Sequence, residues 1–392
     1  MSFRSEAIKY RDKMIEYRRY LHRNPELSFH EENTARFIRE ELERMGLAPL
    51  KEVRGNSTAV VIDTGKPGPT LLFRADIDAL PIHEETGLEF ASASPGVMHA
   101  CGHDAHTAAL LCFARHVQKN ADMLRGRVKL VFQQGEEQLP GGGSMIVQDG
   151  VLDDVDYVFA WHCAPEAELG QIVTQAGPRT AAFGNFIIEL TGRGGHSGFP
   201  HMAVNPIAAG AEIVSGINRI TGSIINPLDS AVVVVSSFKA GQTGRYNIIP
   251  ETAVIEGNIR SLGNGVMSAI FDKIEAVAMG ISGAWGCACK FTRIEGHGSV
   301  VNDPALTGRV KAAFESAGIN AVGAPPIMSS EDFATYTGKR PGLFLNVGTC
   351  DKSRPETAFP PHNPRFRISE DAMVYALEAM MAILAEMTKN EE

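Results

Sequence analysis

Four continuous apolar runs of strand length punctuate the first half of the chain: 58–62 (TAVVI), 70–74 (TLLFR), 129–133 (KLVFQ) and 156–162 (DYVFAWH). They do not alternate polar with apolar, so each demands cover on both faces. Helical spacing appears between them. Ala35, Ile38, Leu42 and Met45 recur at helical intervals and Gly46 supplies a C-cap. An Ala- and Leu-rich stretch at about 103–118 reads as a second helix. Ser28-Phe29-His30-Glu31 reads as a capping box ahead of the first. Buried-type strands separated by helices predict βαβ units and a mostly parallel sheet covered on both faces.

The middle of the chain follows a different rule. An alternating strand at 183–192 is followed by a helix near 203–217, strands at 231–238 and 252–261, a helix near 266–281 and a strand at 287–295. That order, β-α-β-β-α-β, is the ferredoxin-like pattern. The expectation is therefore an α/β protein with a discontinuous larger domain, 1–179 and 296–392, interrupted by an inserted α+β domain, 180–295. In the last part a strand at 343–348 precedes a final helix with Ser369 as N-cap and Glu370 and Asp371 in its first turn. Met373, Leu377, Met380, Leu384 and Met387 form the apolar stripe of that helix, read as core.

Charge and composition exclude several function classes. Lys plus Arg is 37 and Asp plus Glu is 46 in 392 residues, a formal net charge of −9. Nucleic acid wants a basic face, so it is not an expected partner. The most apolar run, 231–235, is too short to span a bilayer, and the charged N-terminus lacks the apolar core of a signal peptide. The expected compartment is the cytoplasm. The six cysteines form no C-x-x-C pair and read as reduced thiols, Cys101 excepted.

The chemistry concentrates where strands end. The run 70–74 leads into Asp76 and Asp78, 129–133 into Glu136 and Glu137, and 156–161 into His162. In open α/β sheets ligands bind at the carboxyl edge. Between them lies His99-Ala100-Cys101-Gly102-His103-Asp104-Ala105-His106, with three His, one Cys and one Asp. Thiolate and imidazole suit zinc and similar transition metals. Adjacent carboxylates in an extended segment point opposite ways, so one of Glu136 and Glu137 can hold metal while the other moves a proton. Residue patterns alone do not choose between them, nor between Cys101 and His99. A phosphate loop, a G-x-S-x-G elbow and a deaminase signature are all absent from the sequence.

Seven segments, in order along most of the chain, resemble the metal-dependent aminoacylase/carboxypeptidase superfamily of amidohydrolases, in its hippurate hydrolase and indole-acetyl-amino-acid hydrolase branch. They are Arg74-Ala75-Asp76-Ile77-Asp78-Ala79-Leu80-Pro81, His99-Ala100-Cys101-Gly102-His103-Asp104, Gly135-Glu136-Glu137, Gly194-Gly195-His196-Ser197-Gly198, Asn247-Ile248-Ile249-Pro250, Ser330-Glu331-Asp332-Phe333 and Pro361-His362-Asn363-Pro364. The resemblance implies a catalytic α/β domain with an inserted ferredoxin-like lid and dimerisation domain, and hence a homodimer. It implies two divalent metal ions, manganese or zinc before cobalt or nickel, held by Cys101, His103, Glu137, His162 and His362. Glu136 is then the general base, and Asp76, with Asp78 as the alternative, orients a ligand. From the inserted domain His196, Asn247 and Arg260 contact substrate.

The implied reaction is hydrolysis of the amide bond of a small-molecule N-acyl amino acid (acetyl, benzoyl or indole-acetyl) to a carboxylic acid and an amino acid. A dipeptidase or carboxypeptidase with the same two-metal chemistry is the main alternative. A cysteine hydrolase using Cys101 and a non-catalytic metal-binding protein are weaker ones.

Overall fold

The computed structural model describes residues 2–223 and 225–389. The chain divides into two compact units, one of residues 1–179, 300–325 and 332–392, the other of 180–299 and 326–331. The hydrophobic pattern places 296–299 and 326–331 in the larger unit. Residues 296–299 and 326–331 instead pack with the second unit. Arg260 in that unit donates a hydrogen bond to the carbonyl of Met328, 2.6 Å away, which ties the short segment down.

The larger unit is built on a seven-stranded sheet with spatial order Thr58–Asp63, Arg127–Gln133, Thr70–Asp76, Tyr157–Glu168, Gly342–Cys350, Ile172–Val173, Ala321–Val322. The Thr70–Asp76 strand is buried along its whole length and runs parallel to both neighbours, as its unbroken apolar run requires. The sheet is mostly parallel. Thr58–Asp63 and Ile172–Val173 are exceptions, pairing antiparallel with Arg127–Gln133 and Gly342–Cys350. The helix His103–Lys119 and the final helix Ala372–Met387 share one core with the Thr70–Asp76 and Gly342–Cys350 strands, and every residue of the expected methionine–leucine stripe is buried in it.

Two capping assignments fail for one reason. The helix Glu32–Arg44 begins after Glu31 without a side-chain cap, because the Ser28 hydroxyl donates to Asp78 Oδ2 (2.7 Å) and Glu31 accepts from the amide of Gly135 (2.8 Å). Ser369 does not cap the last helix either; its hydroxyl accepts from Arg354. In each case a longer-range partner took the side chain that local spacing assigned to a cap.

The second unit is a four-stranded antiparallel sheet in the order Ala288–Glu295, Ala182–Thr191, Thr252–Ser261, Ala231–Ala240. With helices Pro206–Ile217 and Asn264–Trp285, its element order is the ferredoxin-like one. Burial alternates along Ala182–Thr191 and Thr252–Ser261. The inward residues Phe186, Ile188, Leu190, Ile255 and Ile259 meet Ile213, Ile217, Ile270 and Ile274 in one core. Among the described residues of the chain, no helix is long and apolar enough to cross a membrane.

Candidate metal centre

All five ligand candidates belong to the larger unit and converge there. The Sγ of Cys101 lies 3.4 Å from His162 Nε2. Cys101, His103 and His162 form one group whose ligand atoms are all within 4.8 Å of one another, and Cys101, Glu137 and His362 form a second. Cys101 is common to both. His103, Glu136 and Glu137 make a third group.

His162 is not at a strand terminus, since its strand continues to Glu168. Pairing with Thr70–Asp76 nevertheless stops at Ala160, while pairing with Gly342–Cys350 continues through His162. His162 therefore stands past the end of one neighbour while held by the other. His103 opens its helix directly after Gly102, whose φ of 95° is left-handed. A Cβ at Gly102 would lie 2.7 Å from Cys163 Sγ, so both the turn and the packing want glycine.

Backbone oxygens decide which nitrogen each histidine presents. His103 Nδ1 is 3.0 Å from the carbonyl of Asp78, and His162 Nδ1 is 2.8 Å from that of Cys163. A carbonyl only accepts, so each Nδ1 carries a proton and Nε2 is the nitrogen each ring has left to offer a cation. The Nε2 of His103 is buried without a hydrogen-bond partner. Glu137 Oε1 is also buried without a well-aligned donor, 3.9 Å from that nitrogen and 3.2 Å from His362 Nε2. Orphaned buried donors and acceptors are costly, and a cation resolves them together. The donor set of thiol, imidazoles and carboxylate fits zinc-like divalent metals.

Electrostatics reinforce this. Burial works against charge on His103, but Asp76, Asp78 and Glu137 outweigh it and push its pKa up to about 10. Burial, aided by Glu137, Glu136 and Asp76, drives the Cys101 thiol well above its ordinary value. The interaction with Glu137 raises His362. His362 adopts a left-handed φ of 64°, and its amide donates to the carbonyl of Ala100 (2.8 Å).

Of the two carboxylates weighed as ligand orienter, Asp78 is the one that meets His103 Nδ1 (Oδ1 at 3.2 Å), while an oxygen of Asp76 lies 3.7 Å from His103 Nε2. Asp78 Oδ2 also accepts from Ser28 and from the amide of Glu137. Asp76 instead meets His106 Nδ1 (2.6 Å) and Arg74 (2.6 Å). Ser28, Glu31, Asp78 and His106 thus hydrogen-bond around the ligand candidates or the loop that carries Glu137. Only Asp78 and His106 carried a signal, by lying inside recognised segments. His99 is buried, and neither ring nitrogen has a hydrogen-bond partner. It joins none of the ligand groups found among the described residues.

His196, Asn247 and Arg260 belong to the second unit. His196 pairs with Ile248 across a two-residue ladder, and the Ser197 amide donates to the Asn247 carbonyl (3.0 Å). His196 Nδ1 accepts from the Gly198 amide (3.0 Å), so the neutral ring presents Nε2–H as a donor. His196 is exposed.

The model of peptidase family M20/M25/M40 matches residues 72–386. N-acetyl-L-cysteine deacetylase of Bacillus subtilis (strain 168) is 36% identical over 363 residues, covering 93% of this chain and 85% of its own. Thermostable carboxypeptidase 1 of Saccharolobus solfataricus is 36% identical over 374 residues, 94% of each chain. Among solved structures, the YXEP protein of Bacillus subtilis, a dinuclear metal binding peptidase from the M20 family, superposes with a TM-score of 0.83 at 32% identity, over 96% of this chain and 98% of its own.

Proposed function

The chain belongs to peptidase family M20/M25/M40, and from that premise we propose that it is a two-metal amidohydrolase releasing amino acids from N-acyl amino acids. The observation that carries the reading is the buried His103 Nε2, which has no hydrogen-bond partner, beside the Cys101–His162 and Glu137–His362 contacts. Cys101, His103, Glu137, His162 and His362 hold the cations, manganese or zinc in the first instance. Divalent cations held there supply Lewis acidity and bring water's ionisation toward neutral pH.

Glu136 takes the proton of the attacking water and delivers it to the leaving amine, which departs poorly unless protonated. Asp78, not Asp76, keeps His103 in the tautomer that binds metal. His196 Nε2–H donates to the developing oxyanion, a contribution typically near 3 kcal/mol. Asn247 assists in holding the substrate. Arg260 offers its planar fork to the substrate α-carboxylate. The second unit also forms a homodimer contact. Its Ala231–Ala240 strand lies at a sheet edge, with Val232, Val234 and Phe238 exposed.

The carboxypeptidase relative supports one competing reading, cleavage of peptides by the same chemistry. Amine release from N-acetyl, N-benzoyl and indole-acetyl amino acids, run beside dipeptides, separates the two. Each substrate is tested after metal removal and after manganese or zinc is restored. Metal-dependent release from the acyl amino acids is the expected result. Release from dipeptides alone would replace the amidohydrolase by a peptidase, and release that survives metal removal would remove the metals from the chemistry.

A further inference from the structure

His106 lies one turn beyond His103 on the same helix and is fully buried. Its Nε2 is 3.0 Å from the backbone amide of Cys163. An amide only donates, so Nε2 holds a lone pair and the neutral ring carries its proton on Nδ1. That proton is donated to Asp76 Oδ1 at 2.6 Å. The other oxygen of Asp76 accepts from Arg74, which also donates to Asp332 (2.6 Å) and Gln133 (3.1 Å). His106 thus stands between a pinned carboxylate and the strand that carries His162.

That strand needs a partner at this point. Its pairing with Thr70–Asp76 ends at Ala160, leaving the Cys163 amide on that side without a ladder acceptor. A buried unpaired amide is rarely tolerated, and His106 Nε2 fills the place. The Cys163 carbonyl in turn accepts from His162 Nδ1. The His106 ring also packs edge-on against His162, with centroids 4.7 Å apart, and against Trp161 at 4.6 Å.

We propose that His106 is a positioning residue for the metal centre: by bridging Asp76 to the Cys163 amide, it fixes the ring orientation and tautomer of His162, so that Nε2 faces Cys101 Sγ. The inference rests on reading His162 as a ligand. Outer partners of metal-binding histidines commonly change metal affinity by about 10–100-fold when lost. Here the partner acts through a backbone amide instead of touching the ligand's own nitrogen.

The test uses the full chain and three substitutions. In His106→Gln, Oε1 reaches the Nε2 position and can accept from Cys163. In His106→Asn, the amide can donate to Asp76 but falls short of Cys163. His106→Phe fills the space with neither. Zinc dissociation constants come from competition with a chromophoric chelator, and the cobalt–thiolate charge-transfer band reports on Cys101. Melting temperatures of the metal-free proteins are measured alongside.

We expect His106→Asn and His106→Phe to weaken one of two metals by about 10–100-fold and alter the cobalt band, with His106→Gln restoring most of the affinity. Wild-type affinity in folded His106→Asn overturns the proposal, whether or not His106→Phe folds. So does a parallel drop in melting temperature for all three with affinity unmoved, since that marks a purely structural residue. His162→Ala is run beside them. If it too keeps both metals, the ligand assignment has failed; if it alone loses one, only the positioning role has.

Discussion

Asp76 and Asp78 are two residues apart and chemically identical, yet they do different work because of what each can reach. Asp76 ends a strand, where Arg74 and His106 claim its oxygens; burial alone would raise its pKa, but His103, His106 and Arg74 hold it well below the usual carboxylate range. Asp78 lies past the strand, within reach of Ser28, His103 and the Glu137 amide. On the proposed division of roles between Glu136 and Glu137, Glu136→Gln is expected to retain both metals while turnover falls by about 10²–10⁴-fold. Metal analysis beside kinetics checks this, and near-normal turnover would remove Glu136 as the base. The raised pKa of His103, about 10, sets a sign for metal binding. A cation must expel that proton, so affinity rises with pH below about 10, by about tenfold per unit for each proton released. Calorimetry in buffers of differing ionisation enthalpy counts those protons. Pure carboxylate binding would release none near neutral pH.

At the scale of elements, the loop that carries Glu136 and Glu137 is closed by backbone. The Gly142 amide donates to the Gly135 carbonyl (2.9 Å), and a Cβ on Gly142 would lie 1.7 Å from the carbonyl oxygen of Gln134. No side-chain rotation relieves a clash with backbone. Gly142→Ala is therefore expected to displace the loop, lowering the melting temperature and the metal content together. Wild-type stoichiometry in that variant would show that the loop tolerates the shift. The final helix provides a control remote from the chemistry. Leu377 is fully buried in the core, so Leu377→Ala should cost about 2–5 kcal/mol in denaturant unfolding. Metal affinity should be unchanged. The two misplaced caps belong to this scale as well. Ser28 and Glu31 have the spacing of a capping box, but spacing cannot reveal that Asp78 and Gly135 lie closer than the helix amides do.

At the scale of the whole molecule the prediction concerns assembly. The Ala231–Ala240 strand offers an unpaired edge, and Val234 is 49% exposed on it. A charge there is a common way to keep such an edge single. If the second unit forms the dimer, Val234→Lys should shift sedimentation from dimer toward monomer while leaving metal content intact. A wild-type protein that sediments as a monomer would end the dimer proposal.

The division of the chain into a βαβ body and a β-α-β-β-α-β insertion was legible in its hydrophobic pattern. Whether both faces of a strand or only one must be buried is written residue by residue. The donor types of the metal centre were legible too, because few other chemistries place Cys, His and carboxylates so densely. Periodicity could not show which carboxylate meets which histidine, which nitrogen each ring presents, or where Ser28, Glu31 and His106 make their hydrogen bonds. Those depend on hydrogen bonds between groups tens of residues apart, such as Ser28 with Asp78 and His106 with Cys163. Their geometry exists only once the sheet has set its strand ends, because a hydrogen bond is decided by tenths of an ångström and by the direction of its donor, and neither is a property of sequence spacing.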